Sequence, residues 1–485
     1  MVRIAKLKII YLAPSPECNL TMSKKPIFHF EISERKVLLR LFDMVAVLLT
    51  LAVVGVVFEF DYFKINADYW NWTLVFLIYL NLFASIFELY DLQKADRFDS
   101  VIKNVLLTSS LTVLFYILTP FFTPSLPANR LQILFFFLSI AGALLLWRFL
   151  YISLISSPRF YKRVLVVGDS FDIKLIAESL QKTDPNYVVV GYVNTDDKLK
   201  TKFQKENLIR FEVNELQGAI EKYHINEVVV ASAYQKGLML PLYNELSELL
   251  KKGFPIRDYT QVYEEITRRI PVQNVDKDFY KYFPFSRSNQ NKFYLSVFRI
   301  LDILVSFIGL IFCAFILPFV ILGNLLGNRG KLFYTQERVG KNGRIFNILK
   351  MRTMVHDAEK SGPQYAQKND YRVTKFGRFL RRSRIDEIPQ FYNVLKGDMS
   401  LIGPRPERPV FVKELSELIP FYETRHIVKP GLTGWAQVMA NYGDCHDDSL
   451  EKLQYDLYYI KHRGIFLDLS ILLKTLSTVI FFRGQ

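Results

Sequence analysis

Four apolar runs, residues 41–60, 70–87, 105–122 and 131–150, decide what this chain can fold into. A helix needs roughly 20 apolar residues to cross the hydrocarbon core of a bilayer, and each run meets that length with some tolerance at its ends. The competing reading is four helices buried in a soluble core. Trp70, Trp72, Tyr79, Tyr90, Tyr116 and Trp147 cluster toward the ends of the runs, as an interfacial aromatic belt does, and favour the membrane. Composition agrees: half of the 485 residues are hydrophobic, only 22% are charged, and 41 are Phe. That excludes a disordered or collagen-like chain and argues against an ordinary soluble enzyme. The first 36 residues are polar and basic, and no signal peptide is expected there.

The formal net charge is +15. In a soluble protein such an excess suggests nucleic acid. Beside long apolar runs it suggests an anionic membrane surface or phosphorylated substrates, and no nucleic-acid partner is expected. Its distribution predicts orientation. Lys24, Lys25, Arg35, Lys36 and Arg40 precede the first run; Lys94, Arg97 and Lys103 lie between the second and third; Arg148, Arg159, Lys162 and Arg163 follow the fourth. The other two loops carry only Lys64 and Arg130. Positive-inside then puts the N-terminus and everything after residue 150 in the cytoplasm. Cys18, Cys313 and Cys445 are too scattered for a disulfide framework or a Cys-x-x-Cys metal site.

Residues 162–194 read strand, turn, helix, strand, with the strands at 163–167 and 187–193 and the helix at 170–181. The alternation continues at 226–231 and 239–251, which predicts a small open α/β domain with a parallel sheet. Its first turn is Val167-Gly168-Asp169-Ser170, with one glycine where a dinucleotide fingerprint uses three. A dinucleotide site is therefore disfavoured, and an accessory or oligomerisation module, open to a homodimer through residues 162–270, is preferred. The missing fingerprint also argues against a nucleotide-sugar dehydratase.

A fifth apolar run, 301–326, carries Asp302 near its start and Pro318 inside. If it spanned the bilayer, residues 331–384 would lie outside the cell, with 14 Lys and Arg against four acids. So strong a positive excess resists translocation. Because a mid-helix proline loses one hydrogen bond and clashes with the preceding turn, a helix–break–helix that enters and leaves one leaflet is expected, with the break at Pro318.

The chemistry concentrates in residues 333–437. Asp386 and Glu387 are adjacent carboxylates behind a dense run of cations, and Pro389 suits the first turn of a helix. A helix N-terminus and nearby arginines favour ionised carboxylates. An ionised Asp can attack phosphorus, and a second carboxylate can hold Mg²⁺ beside substrate phosphates. Taken alone, such a pair more often caps a helix. Arg405 lies between Pro404 and Pro406, where a stiff backbone aims a guanidinium fork suited to phosphate; the alternative is a surface turn. Lys350 and Arg352, two residues apart, would share one face of a strand and clamp a diphosphate, or form a solvated basic face. In residues 440–448 the neighbours Cys445 and His446 lack chelating partners at metal-site spacing, so a substrate-side or structural loop is expected. Residues 469–482 form an apolar stretch too short to span, expected to lie at the interface.

Taken in order, the segments Phe333-Tyr334-Thr335-Gln336-Glu337-Arg338-Val339-Gly340, Ser383-Arg384-Ile385-Asp386-Glu387-Ile388-Pro389-Gln390, Leu401-Ile402-Gly403-Pro404-Arg405-Pro406 and Lys429-Pro430-Gly431-Leu432-Thr433-Gly434-Trp435 resemble the bacterial sugar transferases. These are polyprenyl-phosphate hexose-1-phosphate transferases. The resemblance covers the chain from about residue 293 onward, and the longer layout is similar to exopolysaccharide-type members. It implies a membrane protein with a four-helix transmembrane bundle and tail (1–160), a Rossmann-like α/β domain (161–290) and an α/β monotopic phosphoglycosyl transferase domain (291–485). The last would carry a re-entrant helix at about 299–326. The implied reaction moves a sugar-1-phosphate from a UDP-sugar to undecaprenyl phosphate and releases UMP, at the cytoplasmic face of the bacterial inner membrane. By motif, Asp386 is the nucleophile and Glu387 the Mg²⁺ ligand or its orienting partner. Lys350, Arg352 and Arg405 are candidate diphosphate contacts. A non-catalytic membrane scaffold for polysaccharide assembly is the alternative, and the intact carboxylate pair weighs against it.

Overall fold

The computed structural model describes residues 32–480, apart from 59–61, 64–66, 91–97, 128, 155–161, 168–186, 194–207, 232–239, 273–285, 329, 356–357, 359–361, 363–369 and 441–445. The chain divides into two compact units. One is built on Tyr151–Val262, the other on Arg35–Leu150 together with Tyr263–Gln485.

The four apolar runs are helices: α1 (Ile32–Val57), α2 (Trp70–Ile86), α3 (Phe98–Leu118) and α4 (Leu131–Leu154). Three of them are long and apolar enough to cross a membrane. α2 is shorter than its apolar run, at 17 residues. It ends where Glu88 takes a left-handed backbone (φ 58°) and the turn buries Phe87 and Tyr90 instead of continuing the helix. At 1.5 Å per residue it still reaches about 26 Å, close to the ~30 Å of a hydrocarbon core. Inside the bundle Phe63, Phe76, Tyr116 and Phe136 interlock, with ring centroids 5.2–6.0 Å apart. Asp43 of α1 and Arg148 of α4 form a fully buried ion pair at 2.7 Å. Arg40 lies over the Tyr90 ring at 4.9 Å.

In the unit built on residues 151–262, strands β1 (Lys162–Val167), β2 (Tyr187–Val193), β3 (Ile209–Phe211), β4 (Glu227–Val230) and β5 (Ile256–Asp258) form one parallel sheet in the order β3-β2-β1-β4-β5. This is the expected open α/β sheet. Its inner strands are near-continuous Val runs buried on both sides, and the helices α5 (Leu216–Tyr223) and α6 (Leu240–Lys251) pack together over one face. Glu227 opens β4 buried against Lys162 and Arg257, and the Tyr187 hydroxyl donates to it. The glycine turn at 168–170 and the helix expected at 170–181 lie outside the described residues.

The fifth apolar run is a single helix, α7 (Lys292–Gly327), which passes through Pro318 without interruption. The expected break is therefore corrected: the helix continues because side chains are seated against it on both sides of the proline. A Cβ at Gly309 would lie 2.4 Å from the Phe391 ring, and one at Gly323 would lie 2.3 Å from the Phe376 ring. Packing on both flanks offsets the single hydrogen bond that Pro318 removes. The buried face of α7 runs Asp302, Ser306, Gly309, Cys313, Val320, Asn324, while Phe307, Phe312, Phe315, Phe319 and Leu326 are exposed.

After α7 come the antiparallel hairpin β6 (Phe333–Val339) and β7 (Ile345–Met351), then α8 (Lys375–Arg382), a 3₁₀ turn Ile385–Gln390, and α9 (Phe391–Lys396). β8 (Ser400–Ile402), α10 (Pro409–Leu418), a second 3₁₀ turn Tyr422–Ile427 and β9 (Gly431–Thr433) follow, with β8 and β9 parallel. The chain closes with α11 (His446–His462) and α12 (Ile465–Ile480). Trp435, Leu453, Leu457, Tyr459 and Ile460 form the core of this part. The apolar end is thus helical, and its Leu473 packs against Phe83, Ile86 and Phe87 at the end of α2. Residues 441–445, most of the Cys-His segment, lie outside the described residues.

Candidate active site

The carboxylate pair sits in the first turn of the 3₁₀ segment Ile385–Gln390, between α8 and α9. Arg384 delivers it with a left-handed backbone (φ 59°), a conformation that costs a non-glycine residue energy and clusters at functional sites. α8 is fixed by its own cap: the Thr374 hydroxyl accepts from the Gly377 amide at 2.9 Å. α9 is fixed to the hairpin by Asn393. Its side-chain amide donates to the Asn347 carbonyl at 2.7 Å, and its oxygen accepts from the Leu349 amide at 3.0 Å. One side chain thus satisfies the outer edge of β7 as a neighbouring strand would, and holds Lys350 opposite the carboxylates.

Glu387 gathers three cations. Arg405 Nη2 donates to Oε1 at 2.8 Å, Arg384 Nη1 to Oε2 at 3.1 Å, and Lys350 Nζ lies 3.5 Å from Oε1. Burial alone would push the Glu387 carboxyl up, but Arg405, Lys350 and Arg384 outweigh it and hold it well below the usual range. Asp386 is different. It is 8% exposed, and burial together with the Glu387 charge pushes it up to about 6, against Lys350, Arg381 and Arg405. Burial brings Lys350 down to about 8 despite Glu387, with Arg405 and Arg338 helping.

Of the residues singled out in the sequence, Lys350, Arg405 and the carboxylate pair come together. Arg352 goes elsewhere. Lys350 is in β7, but Arg352 lies just beyond its end, and its Nη2 donates to the Asn328 carbonyl at 2.9 Å at the C-terminal cap of α7. A guanidinium there complements a helix C-terminus, and the shared strand face expected of the two residues is not realised. Pro318 lies within α7 and does not contribute a break. Residues that sequence reasoning missed also converge. Arg384 pairs with Glu387, and Arg381 faces Asp386 while its Nε donates to Thr353 Oγ1 at 2.9 Å. Arg338 in β6 donates to the Pro406 carbonyl at 3.1 Å and lies 3.3 Å from Glu407 Oε2. Arg381 and Arg384 were signalled by the cationic run ahead of the pair, and Arg384 and Arg338 lie within segments that carry the family resemblance, but nothing in the sequence singled out their contacts.

The donor set fits a divalent cation in kind. Two adjacent carboxylates supply oxygens, the ligand atoms that Mg²⁺ prefers. No cluster of three or more His, Cys, Asp or Glu occurs among the described residues. A bound Mg²⁺ would therefore take its other ligands from substrate phosphates and water, its usual preference.

Fold and site define a membrane-associated α/β protein with a paired carboxylate in a cationic cleft suited to phosphate. The chain belongs to the bacterial sugar transferases. The model of that family matches residues 293–482, and a CoA-binding domain model matches residues 85–249. A Bacillus subtilis protein, provisionally named undecaprenyl-phosphate N-acetylgalactosaminyl 1-phosphate transferase, is 48% identical over 163 residues, which is 33% of this chain and 86% of that one. The UDP-glucose:undecaprenyl-phosphate glucose-1-phosphate transferase of Caulobacter vibrioides is 38% identical over 186 residues, 38% of this chain and 69% of the relative. The UDP-N-acetylgalactosamine-undecaprenyl-phosphate N-acetylgalactosaminephosphotransferase of Aeromonas hydrophila is 40% identical over 227 residues, 47% of this chain and 52% of the relative. The matched region spans only about half of that last protein.

Proposed function

We propose that this chain transfers a sugar-1-phosphate from a UDP-sugar to undecaprenyl phosphate. The observation that carries this reading is the division of labour within the carboxylate pair: Glu387 is held ionised by direct pairs with Lys350, Arg384 and Arg405, while Asp386 beside it is pushed up by burial and by the Glu387 charge. In the first step an Asp386 carboxylate oxygen attacks the phosphorus bonded to the sugar. The bond from that phosphorus to the bridging oxygen breaks, and UMP leaves with both electrons. In the second step a phosphate oxygen of undecaprenyl phosphate attacks the same phosphorus and expels the Asp386 carboxylate. Sugar-diphosphate-undecaprenol and free enzyme remain, and the charge balances. Lys350 and Arg405 bind and orient the diphosphate, and Arg405 has the fork that matches its oxygens. Mg²⁺ held by Glu387, with Asp386 adjacent, would neutralise charge on the diphosphate.

The reading that α7 stays on one side of the bilayer, rather than crossing it, is supported by its contacts. Near its start, Tyr294 donates to Asp468, and Asp302 accepts from the Leu401 amide at 2.9 Å. At its end, the Asn328 side chain donates to the Arg352 carbonyl at 2.9 Å. Both ends hold the same domain. A helix of 36 residues, about 54 Å long, could not do this while crossing a bilayer with that domain on one side. With the charge asymmetry, this favours a site at the cytoplasmic face of the inner membrane.

The test is UMP release by detergent-purified protein given undecaprenyl phosphate, Mg²⁺ and each of a panel of UDP-sugars. Lipid-dependent release with one donor is expected. Asp386→Asn should lower it by at least ~10³-fold and abolish the covalent sugar-phosphate adduct. An adduct surviving in that variant would overturn the assignment of the nucleophile.

A further inference from the structure

Behind Arg405 lies a second pair of buried charges that the proposed reaction does not use. Arg425 belongs to the 3₁₀ turn Tyr422–Ile427, and Asp456 to α11. Their exposures are 5% and 1%. Arg425 Nη2 donates to Asp456 Oδ2 at 2.7 Å, and Nη1 to the Tyr422 hydroxyl at 2.6 Å. The same Nη2 also donates to the backbone carbonyl of Arg405 at 3.0 Å.

That last contact answers a problem set by the sequence. A Pro-Arg-Pro segment has one amide hydrogen in three residues, so its own donors can scarcely fix it. It must be held by its carbonyls, and every one is. The Pro404 oxygen accepts from the Gly431 amide at 2.9 Å, the Arg405 oxygen from Arg425, the Pro406 oxygen from Arg338 at 3.1 Å, and the Glu407 oxygen from the Val339 amide at 2.9 Å. Upstream, Asp302 accepts from the Leu401 amide and the Ser400 hydroxyl, and the Gly403 amide donates to Thr433. Residues 400–407 are a strap tied at nearly every step. The side chain it presents, Arg405, is 41% exposed and would otherwise sample many rotamers.

We infer that Arg425, oriented by Asp456 and Tyr422, is a positioning residue for the reaction: it fixes the Arg405 carbonyl so that the Arg405 guanidinium meets Glu387 and the donor diphosphate. This rests on the reading of Arg405 as a phosphate contact. A role confined to stapling the 3₁₀ turn to α11 would need no contact with Arg405. The two roles separate in a double-mutant cycle. Arg425→Lys keeps the charge beside Asp456, but a single ammonium cannot also reach Tyr422 and the Arg405 carbonyl in fork geometry.

The cycle uses full-length protein in detergent, as the unmodified chain, Arg425→Lys, Arg405→Ala and the double variant. It reads kcat/KM for UMP release, and UDP affinity by calorimetry. Arg425→Lys should lower kcat/KM by ~10-fold or more in the unmodified background and by less than ~2-fold beside Arg405→Ala. Its effect on UDP affinity should vanish in the same way. Equal losses in both backgrounds overturn the inference while leaving the proposed reaction standing. If the unmodified chain shows neither turnover nor UDP binding, that reaction is overturned, and this inference with it. Should Arg425→Lys lack a cooperative melt, Tyr422→Phe runs the same cycle. A loss of ~3-fold that disappears beside Arg405→Ala supports positioning, and no loss, or the same loss in both, overturns it.

Discussion

In the helical bundle one carboxylate meets one guanidinium, Asp43 with Arg148, and both are fully buried. In the carboxylate turn two acids meet Lys350, Arg381, Arg384 and Arg405, and the cleft keeps a positive surplus. The first arrangement is closed, since its formal charges cancel within the pair. The second is open, because cations exceed anions and Arg405 still reaches solvent. An ionic cluster that only supports structure tends toward neutrality, because each unpaired buried charge carries a large desolvation cost. A cluster awaiting an anion must keep an excess, and the diphosphate of the proposed donor would supply the missing negative charge.

The contrast can be broken most severely in the bundle. Arg148→Leu strands a buried carboxylate and should cost on the order of 3–5 kcal/mol, whereas replacing Asp43 and Arg148 together with apolar residues should recover most of it. Thermal unfolding in detergent reads this. Arg405→Ala, by comparison, should change stability by less than ~1 kcal/mol while reducing turnover sharply, because that pair is partly solvated. A smaller effect sharpens the cleft side. Asp386 titrates near 6 when folded and near 4 when unfolded, so the folded state holds the proton longer. Stability therefore falls as pH rises from ~4 to ~6, and the full cost is present above that window. Asp386→Asn removes it, and should raise stability by up to ~3 kcal/mol at pH 7 but by little at pH 4. The smallest effect is in the pH profile of kcat/KM. An acid limb near 6, where Asp386 gains a proton, and an alkaline limb near 8, where Lys350 loses one, are expected. Glu387→Gln should move the acid limb down, since the Glu387 charge helps push Asp386 up, and an unmoved limb would assign it to another group.

What the sequence made legible was local. Apolar run length identified α1 to α4, Val-rich runs identified the parallel sheet, Asp386 and Glu387 stood out because the cations ahead of them in the chain are also their neighbours in space, and Arg405 stood out because prolines flank it. Arg425 and Asp456 lie 20 and 51 positions from Arg405, and a buried pair whose partners come from separate elements leaves no periodic trace. Arg352 misled because alternation along a strand holds only while the strand lasts, and β7 ends one residue earlier. Pro318 misled because a proline's local cost was weighed without the aromatic rings of Phe391 and Phe376 that pack before and after it.

The contact between Asp302 and the Ser400–Leu401 step has a practical corollary. The apolar helix holds the strap that presents Arg405 and seats Phe391 and Phe376. Trimming it away to obtain a water-soluble catalyst would remove the post to which the strap is tied and the seats of Phe391 and Phe376. Attempts to free this chemistry from lipid should therefore recolour the exposed Phe and Leu face of α7 with polar side chains and leave its inward face intact.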